Sequence, residues 1–392
     1  MKVALCLIPF FTIRKICVML VFLLSQADPK FKVYDSRMDK ILIAGAGGPA
    51  SEGVIRSLLE AQANYNVIGM GADRDDLVMS RAPTKYLVPR ANEQSYFSEL
   101  TKIIDKEKPD LIHAQNDREV LEVSRYREDL AQLGTRTFLP KHSTIEICVD
   151  KWKSYTAFKA AGIKVPKNSK IFNEDDLQNA FKDLANEKGV IWLRSNVIGG
   201  GGIGALPTND HLFAKKWIDH HQGWTNFLAA EMLTPNTVTW LSIWHNGNLV
   251  VAQTRKRGGW VHGNRTLSGV TGVTKVGQTM SSELVNEIAI AAIKSVDSCP
   301  HGIFGVDMAY DSEGIPNPTE INIARFFTTI YFFTKAGLNM PDIFIKLALG
   351  REIEPRETRL NPLPDGLLWF RGMDTEPALM NKTQLEQAIN KI

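Results

Sequence analysis

From residue 40 onward, short apolar runs alternate with amphipathic stretches. Lys40–Ala44 (KILIA) reads as a buried strand, Ser51–Ala63 as an amphipathic helix and Val67–Gly71 as a second strand. A helix over Phe97–Lys106, a strand over Leu111–Ala114, a helix over Val120–Leu133 and a strand over Thr137–Leu139 continue the alternation. Strands alternating with helices predict an α/β fold opening on a doubly wound parallel sheet. The pattern then changes. Helices are expected at Asp150–Ala161, stopped by Gly162, and at Asp175–Asn186, Leu212–His221 and Glu283–Ser295. Val165-Pro166 opens an extended segment, and strands are expected at Gly189–Arg194 and Phe227–Met232. Thr237–His245 and Asn248–Thr254 flank Asn246-Gly247, the signature of a type I′ hairpin. Ile303–Tyr310 and Thr319–Ile323 form a second hairpin around Asp311-Ser312-Glu313-Gly314. Tyr331–Gly350 reads as helical and Leu367–Arg371 as a last strand, and there is no internal repeat.

Composition narrows this picture. The 392 residues, 44% of them hydrophobic and 23% charged, suffice for two or three domains with real cores. A net charge of +3 with no Lys/Arg-rich run argues against a nucleic-acid partner. Cys6, Cys17, Cys148 and Cys299 form no CxxC pair, which disfavours a disulfide framework or structural zinc and fits a reducing cytoplasm. Residues 1–27 are strongly apolar, with Arg14-Lys15 ahead of Ile16–Leu24 and then Ser25-Gln26-Ala27, the order of a signal peptide. The run is shorter than the about 20 residues a membrane span needs, so stable insertion is not expected. We favour a chain whose native start is Met38, with residues 1–38 as an extension; a mature start at Asp28 would contradict this.

Several stretches carry candidate chemistry. Gly45–Ala50 (GAGGPA) fits the dinucleotide fingerprint, with Asp73 as the ribose acid. Its glycines equally allow a tight strand-to-helix turn. His113, Gln115, Asn116 and Asp117 follow a strand end, where α/β sheets bind ligands, although a polar loop without a catalytic role is the simpler reading. Ser195–Ala205 (SNVIGGGGIGA) places four consecutive glycines, each costing about 1 kcal/mol against alanine in a regular element. Exposed amides there suit a phosphate cradle, and Arg194 just ahead weakens the reading as a plain linker. No Gly-Lys-Ser/Thr follows, so this is not a Walker A loop. His220-His221 lack a nearby third ligand and read as solvated. Gly258–Thr274, with Trp260, His262 and Arg265, is either a closing loop or a surface excursion. In the second hairpin, Glu320 and Asn322 share a face and Asp307 approaches from the neighbouring strand. Two carboxylates and an amide oxygen suit Mg²⁺, while ordinary surface acids are the competing explanation.

Taken in order, these features resemble the ATP-grasp superfamily, nearest its carbamoyl-phosphate-synthase-like and carboxylate–amine ligase branch. The residues that carry the likeness are Asp150-Lys151 opening a helix, Arg194 with the glycine loop, Glu231 on FLAAEM, and Asp307 with Glu320-Ile321-Asn322. The resemblance covers residues 39–350. It implies a Rossmann-like domain at 39–147 that helps bind the acceptor and takes no NAD, two grasp lobes at 148–230 and 231–350 with ATP between them, and a tail at 351–392. It also implies roles. Lys151, Arg194 and Ser195 with Gly199, Gly200, Gly201, Gly202 and Gly204 would hold phosphates, and Glu231 and Met232 would line the adenine hinge. Asp307, Glu320 and Asn322 would hold Mg²⁺ or Mn²⁺, and Arg325, Arg255 or Arg257 would clamp a carboxylate or the phosphoryl group. The implied partners are a small-molecule carboxylate and an amine, with a homodimer as a candidate assembly. The implied reaction is acylphosphate formation and aminolysis, with bicarbonate phosphorylation and a non-catalytic nucleotide-binding protein as alternatives. Two positions depart from the family. Thr237 stands where an acid usually holds the ribose, and Arg325 lies one residue later than the family's arginine.

Overall fold

In the computed structural model the chain opens with β1 (Lys40–Ala44), α1 (Pro49–Leu59), β2 (Asn66–Gly71), α2 (Arg74–Met79), β3 (Thr84–Leu87), α3 (Tyr96–Glu107) and β4 (Leu111–His113). The described residues are 38–197, 202, 204–372 and 386–390, and all but Met38 belong to one compact unit, Asp39–Ile392. The residues before Met38 and Gly199, Gly200 and Gly201 of the glycine loop lie outside the described residues. The four strands form a parallel sheet in the order β3-β2-β1-β4. Beyond Lys40, β1 is apolar because both its faces are covered. Leu42 and Ala44 face one core, Ile41 and Ile43 another.

The GAGGPA turn is consumed by packing. A Cβ added to Gly47, whose φ is +91°, would lie 1.9 Å from the Asp76 carbonyl oxygen, so only glycine lets α2 approach. Asp73 caps α2, accepting hydrogen bonds from the Asp75 and Asp76 amides at 2.9 and 3.0 Å. Both parts of the dinucleotide fingerprint are thus used by the fold itself.

In this stretch three elements differ from expectation. Val120–Leu133 divides into α4 (Asp117–Arg125) and α5 (Arg127–Gln132), broken at Tyr126, whose ring stacks on Phe97. No strand forms at Thr137–Leu139. Only Arg136 bridges to Leu111, and Phe138 turns in to pack on His301. α6 (His142–Val149) was not foreseen; Asp150 ends it and caps α7 (Lys151–Ala160).

Next come β5 (Asn168–Ile171), α8 (Glu174–Leu184), β6 (Ile191–Ser195), β7 (Leu206–Thr208), α9 (His211–His220) and β8 (Phe227–Glu231). Their antiparallel sheet, β5-β8-β6-β7, has its own core around Leu177, Ile191, Leu193 and Ile218. The remainder is β9 (Thr237–His245), β10 (Asn248–Arg257), β11 (Val276–Met280), α10 (Glu283–Val296), β12 (Gly302–Tyr310), β13 (Pro316–Ile323), α11 (Ile330–Lys335), α12 (Met340–Ala348) and β14 (Leu368–Phe370). Its strands form a six-stranded antiparallel sheet, β13-β12-β9-β10-β11-β14. The single helix expected at Tyr331–Gly350 is broken after α11 by Gly337, at φ +100°, and restarts where Asn339 caps α12. No helix among the described residues is long and apolar enough to cross a membrane.

One face of the large sheet carries Val238, Trp240, Phe304, Val306 and Ile321 into the main core. Along β9 the opposite face reads Ile243, Leu241, Thr239, Thr237, and along β10 it reads Val251, Gln253, Arg255, Arg257. It therefore begins aliphatic and ends polar. The change falls where the sheet stops being covered and begins to wall a cavity.

Candidate active site

Strand register assembles the site. Glu320 lies directly opposite Asp307, Asp307 opposite Thr239, and Thr239 opposite Arg255. Directly paired residues share a sheet face with Cβ atoms about 5 Å apart, so four strands deliver one row that runs from two acids through a hydroxyl to a guanidinium. Asn322 sits two residues along the same face and donates its Nδ2–H to Asp307 Oδ2 at 3.1 Å. A bulge after Asp307 places Thr319 outside the pairing, and its hydroxyl bonds the Asp307 carbonyl at 3.1 Å.

Thr239 is the hub of the row. Its hydroxyl donates to Asp307 Oδ1 at 2.5 Å and accepts from Arg255 Nη2 at 2.6 Å and Arg257 Nη2 at 3.3 Å. One donor and two acceptor lone pairs are all a hydroxyl has. Arg255 is fully buried. Its other terminal nitrogen donates to Thr274 and Thr329, both at 2.9 Å, and its guanidinium lies 4.8 Å from the Phe327 ring centre. No carboxylate among the described residues pairs with it, and its Nε is buried without a partner. Burial, and then Arg257 beside it, push the Arg255 guanidinium down to about 9. Arg257 spans the row, donating to Thr237 at 2.9 Å and Asp307 at 3.3 Å while stacking 4.1 Å from the Trp260 ring centre.

At the acid end of the row, Lys151 Nζ lies 3.3 Å from Glu320 Oε2. Burial alone would raise the Glu320 carboxyl, but Lys151, then Arg194 and Arg325, outweigh it and hold it below its usual range. Lys151 reaches this point because it is the first residue of α7, whose cap Asp150 accepts from the Trp152 and Lys153 amides. Arg194 comes in from β6 and donates to the Thr319 carbonyl at 3.3 Å and to Asn168 at 3.4 Å, with its Nε buried and unpartnered.

Arg325 owes its direction to the residue ahead of it. Ala324 adopts φ +56°, unusual for a residue with a Cβ, and turns the chain. Arg325 then forks onto Asp117, with Nε 2.6 Å from Oδ1 and Nη2 3.4 Å from Oδ2, and also donates to the Asn322 side-chain oxygen.

These groups line one cavity of about 520 Å³, within the size range of small-molecule sites. Ser195, Gly202, Glu231, Met232 and Thr237 also line it. The Glu231 carboxylate is engaged by Lys167, accepting from its amide at 2.8 Å and facing its ammonium at 3.3 Å. Thr237 is held by Arg257. Gly204 lies outside the lining. It packs on the Phe227 ring, where an added Cβ would come within 2.7 Å. The Gly258–Thr274 segment folds along the cavity, contributing Trp260, Val270 and Thr274. Val270 seats against Gly202, so the segment touches the glycine loop. His220 and His221 stand apart, against Trp217.

The sequence reading missed Thr239, Thr274 and Thr329 as members of the site, and for the stretch ending in Asp117 it favoured a polar loop without a catalytic role. Threonine in a strand carries no chemical signal by itself, because its β-branch suits any strand. Only the register reveals it.

Among the described residues no group of three His, Cys, Asp or Glu side chains is arranged for a metal ion. The donors here are two facing carboxylates and an amide. An all-oxygen set fits a hard divalent cation that completes its shell with water and phosphate.

No family model and no curated protein sequence matches the chain. Its fold does match solved structures. Biotin carboxylase from Campylobacter jejuni, solved as a β,γ-ATP complex, superposes with a TM-score of 0.63 at 16% identity, covering 82% of this chain and 73% of that one. N5-carboxyaminoimidazole synthetase from Staphylococcus aureus, complexed with ADP, gives 0.61 at 15% identity, covering 82% and 80%. L-amino acid ligase from Bacillus licheniformis gives 0.58 at 12% identity, covering 80% and 75%. The likeness is one of fold, and the fold is that of the ATP-grasp enzymes.

Proposed function

We propose that the protein is an ATP- and Mg²⁺-dependent ligase that joins a carboxylate to an amine, releasing ADP and phosphate. The observation that carries this reading is the cross-strand row Glu320–Asp307–Thr239–Arg255 on the cavity face, with acids at one end and a buried, carboxylate-free guanidinium at the other. A site needs both ends to bring a cation-bound phosphate against an anionic acceptor.

In this reading residues 39–147 form a Rossmann-like acceptor domain, and residues 148–230 and 231–350 form the two grasp lobes. ATP lies between the lobes, with its base beside Met232. Lys151 and Arg194 take the phosphate charge, and Lys151 exchanges Glu320 for it. Asp307, Glu320 and Asn322 hold the cation, Mg²⁺ or Mn²⁺, which when bound draws charge from the phosphate oxygens. Asn322 meets Asp307 through its nitrogen, so its oxygen joins the set only after the amide turns over. Arg255 and Arg257 hold the acid's carboxylate. A carboxylate oxygen attacks the γ-phosphorus, and the bond to the bridging oxygen breaks with its electrons remaining on ADP. The amine lone pair then attacks the acyl carbon, phosphate leaves with the C–O electron pair, and the amine's proton passes to solvent. The cytoplasm, which supplies the nucleotide, is the compartment this reading favours.

The test is ADP and phosphate release from Mg-ATP with panels of carboxylic acids, bicarbonate included, and of amines, with products identified by mass spectrometry. The expected result is ADP and phosphate in equal amounts, stimulated by one acid and one amine, with an amide product. AMP release, or no stimulation by any acid, would overturn the reading.

A further inference from the structure

We infer that Asp117 receives the ammonium group of the amine substrate, an inference that rests on the ligase reading above. Among the described residues four carboxylates line the cavity: Asp117, Glu231, Asp307 and Glu320. Glu231 is tied to Lys167, and Asp307 and Glu320 belong to the cross-strand row. Asp117, gripped by Arg325, is the one to which the ligase reading gives no task.

Its surroundings give it a task. The cavity wall is dominated by cations: Lys151, Arg194, Arg255, Arg257 and Arg325. An incoming ammonium group meets repulsion over most of that wall, at an energy of a few kcal/mol per near pair at protein-surface dielectric. Asp117 is the acid that the parallel-sheet region contributes to the wall. It does not come from the large sheet. It is the first residue of α4, just beyond the carboxyl end of β4, the part of a parallel sheet where ligands bind. The amine would therefore meet the cavity on the parallel-sheet side.

The Asp117 carboxylate is also held ready. Arg325 grips both oxygens from one side, and the side chain keeps about one-fifth of its surface exposed. An ionised carboxylate has about four lone-pair sites, and this fork uses two of them. The shifted position of Arg325 and the left-handed backbone at Ala324 make sense as the means of aiming the arginine at Asp117. The competing explanation is a simple ion pair tying the parallel-sheet region to the hairpin.

The two are separated by a ratio. With the acid found in the panel, hydroxylamine, an uncharged nucleophile at neutral pH, traps the acylphosphate as a hydroxamate. The natural amine binds as a cation, passes one proton to solvent and competes for the same intermediate with the lone pair so freed. In Asp117→Asn the ratio of kcat/KM with the amine to that with hydroxylamine is expected to fall about 30-fold, through KM for the amine. Asp117→Glu, which keeps the charge, is expected to recover part of the loss. An unchanged ratio in Asp117→Asn, whatever the absolute rates, would overturn the inference. A measurement on the unaltered protein covers the case of a variant that does not fold. The amine is expected to bind in the presence of Mg-ADP about 30-fold more tightly than its analogue with hydroxyl in place of ammonium; equal binding would overturn the inference. If no acid yields a hydroxamate with the unaltered protein, the ligase reading itself fails first, and visibly so.

Discussion

The GAGGPA turn and the β12–β13 hairpin both advertise ligand chemistry, and they come to opposite ends. In the turn, every group with chemical promise is satisfied from within. Gly47 exists to let the Asp76 carbonyl approach, and Asp73 caps the helix that brings it there. In the hairpin, the promising groups find only one another and the cations facing them across a cavity. Lys151 neutralises Glu320, Arg257 reaches Asp307, and Arg255 has hydroxyls but no acid. Polar groups whose partners are their own backbone are there to make a turn. Charged groups that face one another across an open cavity are there to be rearranged by a ligand.

The sharpest break of this comparison is at Glu320. Glu320→Ala is expected to lower kcat about a thousandfold, roughly 4 kcal/mol of lost charge stabilisation, with an unchanged thermal midpoint. Turnover assays alongside circular dichroism melts measure both, and activity like that of the unaltered protein would remove Glu320 from the metal set. Gly47→Ala should do the reverse. It forces a methyl group into backbone at a positive φ and is expected to cost about 3 kcal/mol of stability, with nucleotide affinity unchanged in the folded fraction. Urea unfolding and nucleotide titration would report it; a loss of nucleotide affinity at full stability would return the turn to ligand binding.

His113 provides the smallest and most diagnostic effect. It too sits at a strand end where ligands are expected, but it is buried against Phe326 and Phe344. Burial pushes its imidazole from 6.5 down to about 3. The unfolded chain therefore binds one more proton than the native state between those values. The native state keeps its full stability above 6.5 and loses it as pH falls towards 3. This contribution amounts to about 2 kcal/mol between about pH 7 and about pH 5. His113→Leu is expected to flatten the stability profile by that amount, read by urea unfolding at the two pH values. An unchanged slope would mean that His113 is reachable by solvent or ligand.

Much of the fold was legible because it rests on local physics. The alternation at Lys40–Ala44, the Asn246-Gly247 turn and the glycine after Asp150–Ala161 each record a choice made within a few residues. The places where the reading slipped are those decided by distant partners. Tyr126 breaks a helix while stacked on Phe97, and Phe138 leaves its strand for His301. Within the site, Asp307, Glu320 and Asn322 were visible because carboxylates and amides are rare on buried strands. Arg325 was given to a carboxylate or the phosphoryl group without a choice between them, and only its backbone at Ala324 and its fork onto Asp117 show its direction.

By itself, then, the chain's sequence determined which segments become strands and helices, which of their faces are apolar, and which residues bring charge to the second hairpin. These depend on side-chain period and turn chemistry, which act over a handful of residues. Tertiary structure alone decided that Thr239 links acid to guanidinium, that Arg255 is buried without a counter-charge, and that Asp117 joins a site some 200 residues away in sequence. Register between strands and the closing of one sheet over another set those distances, and neither is written in any single stretch of the chain.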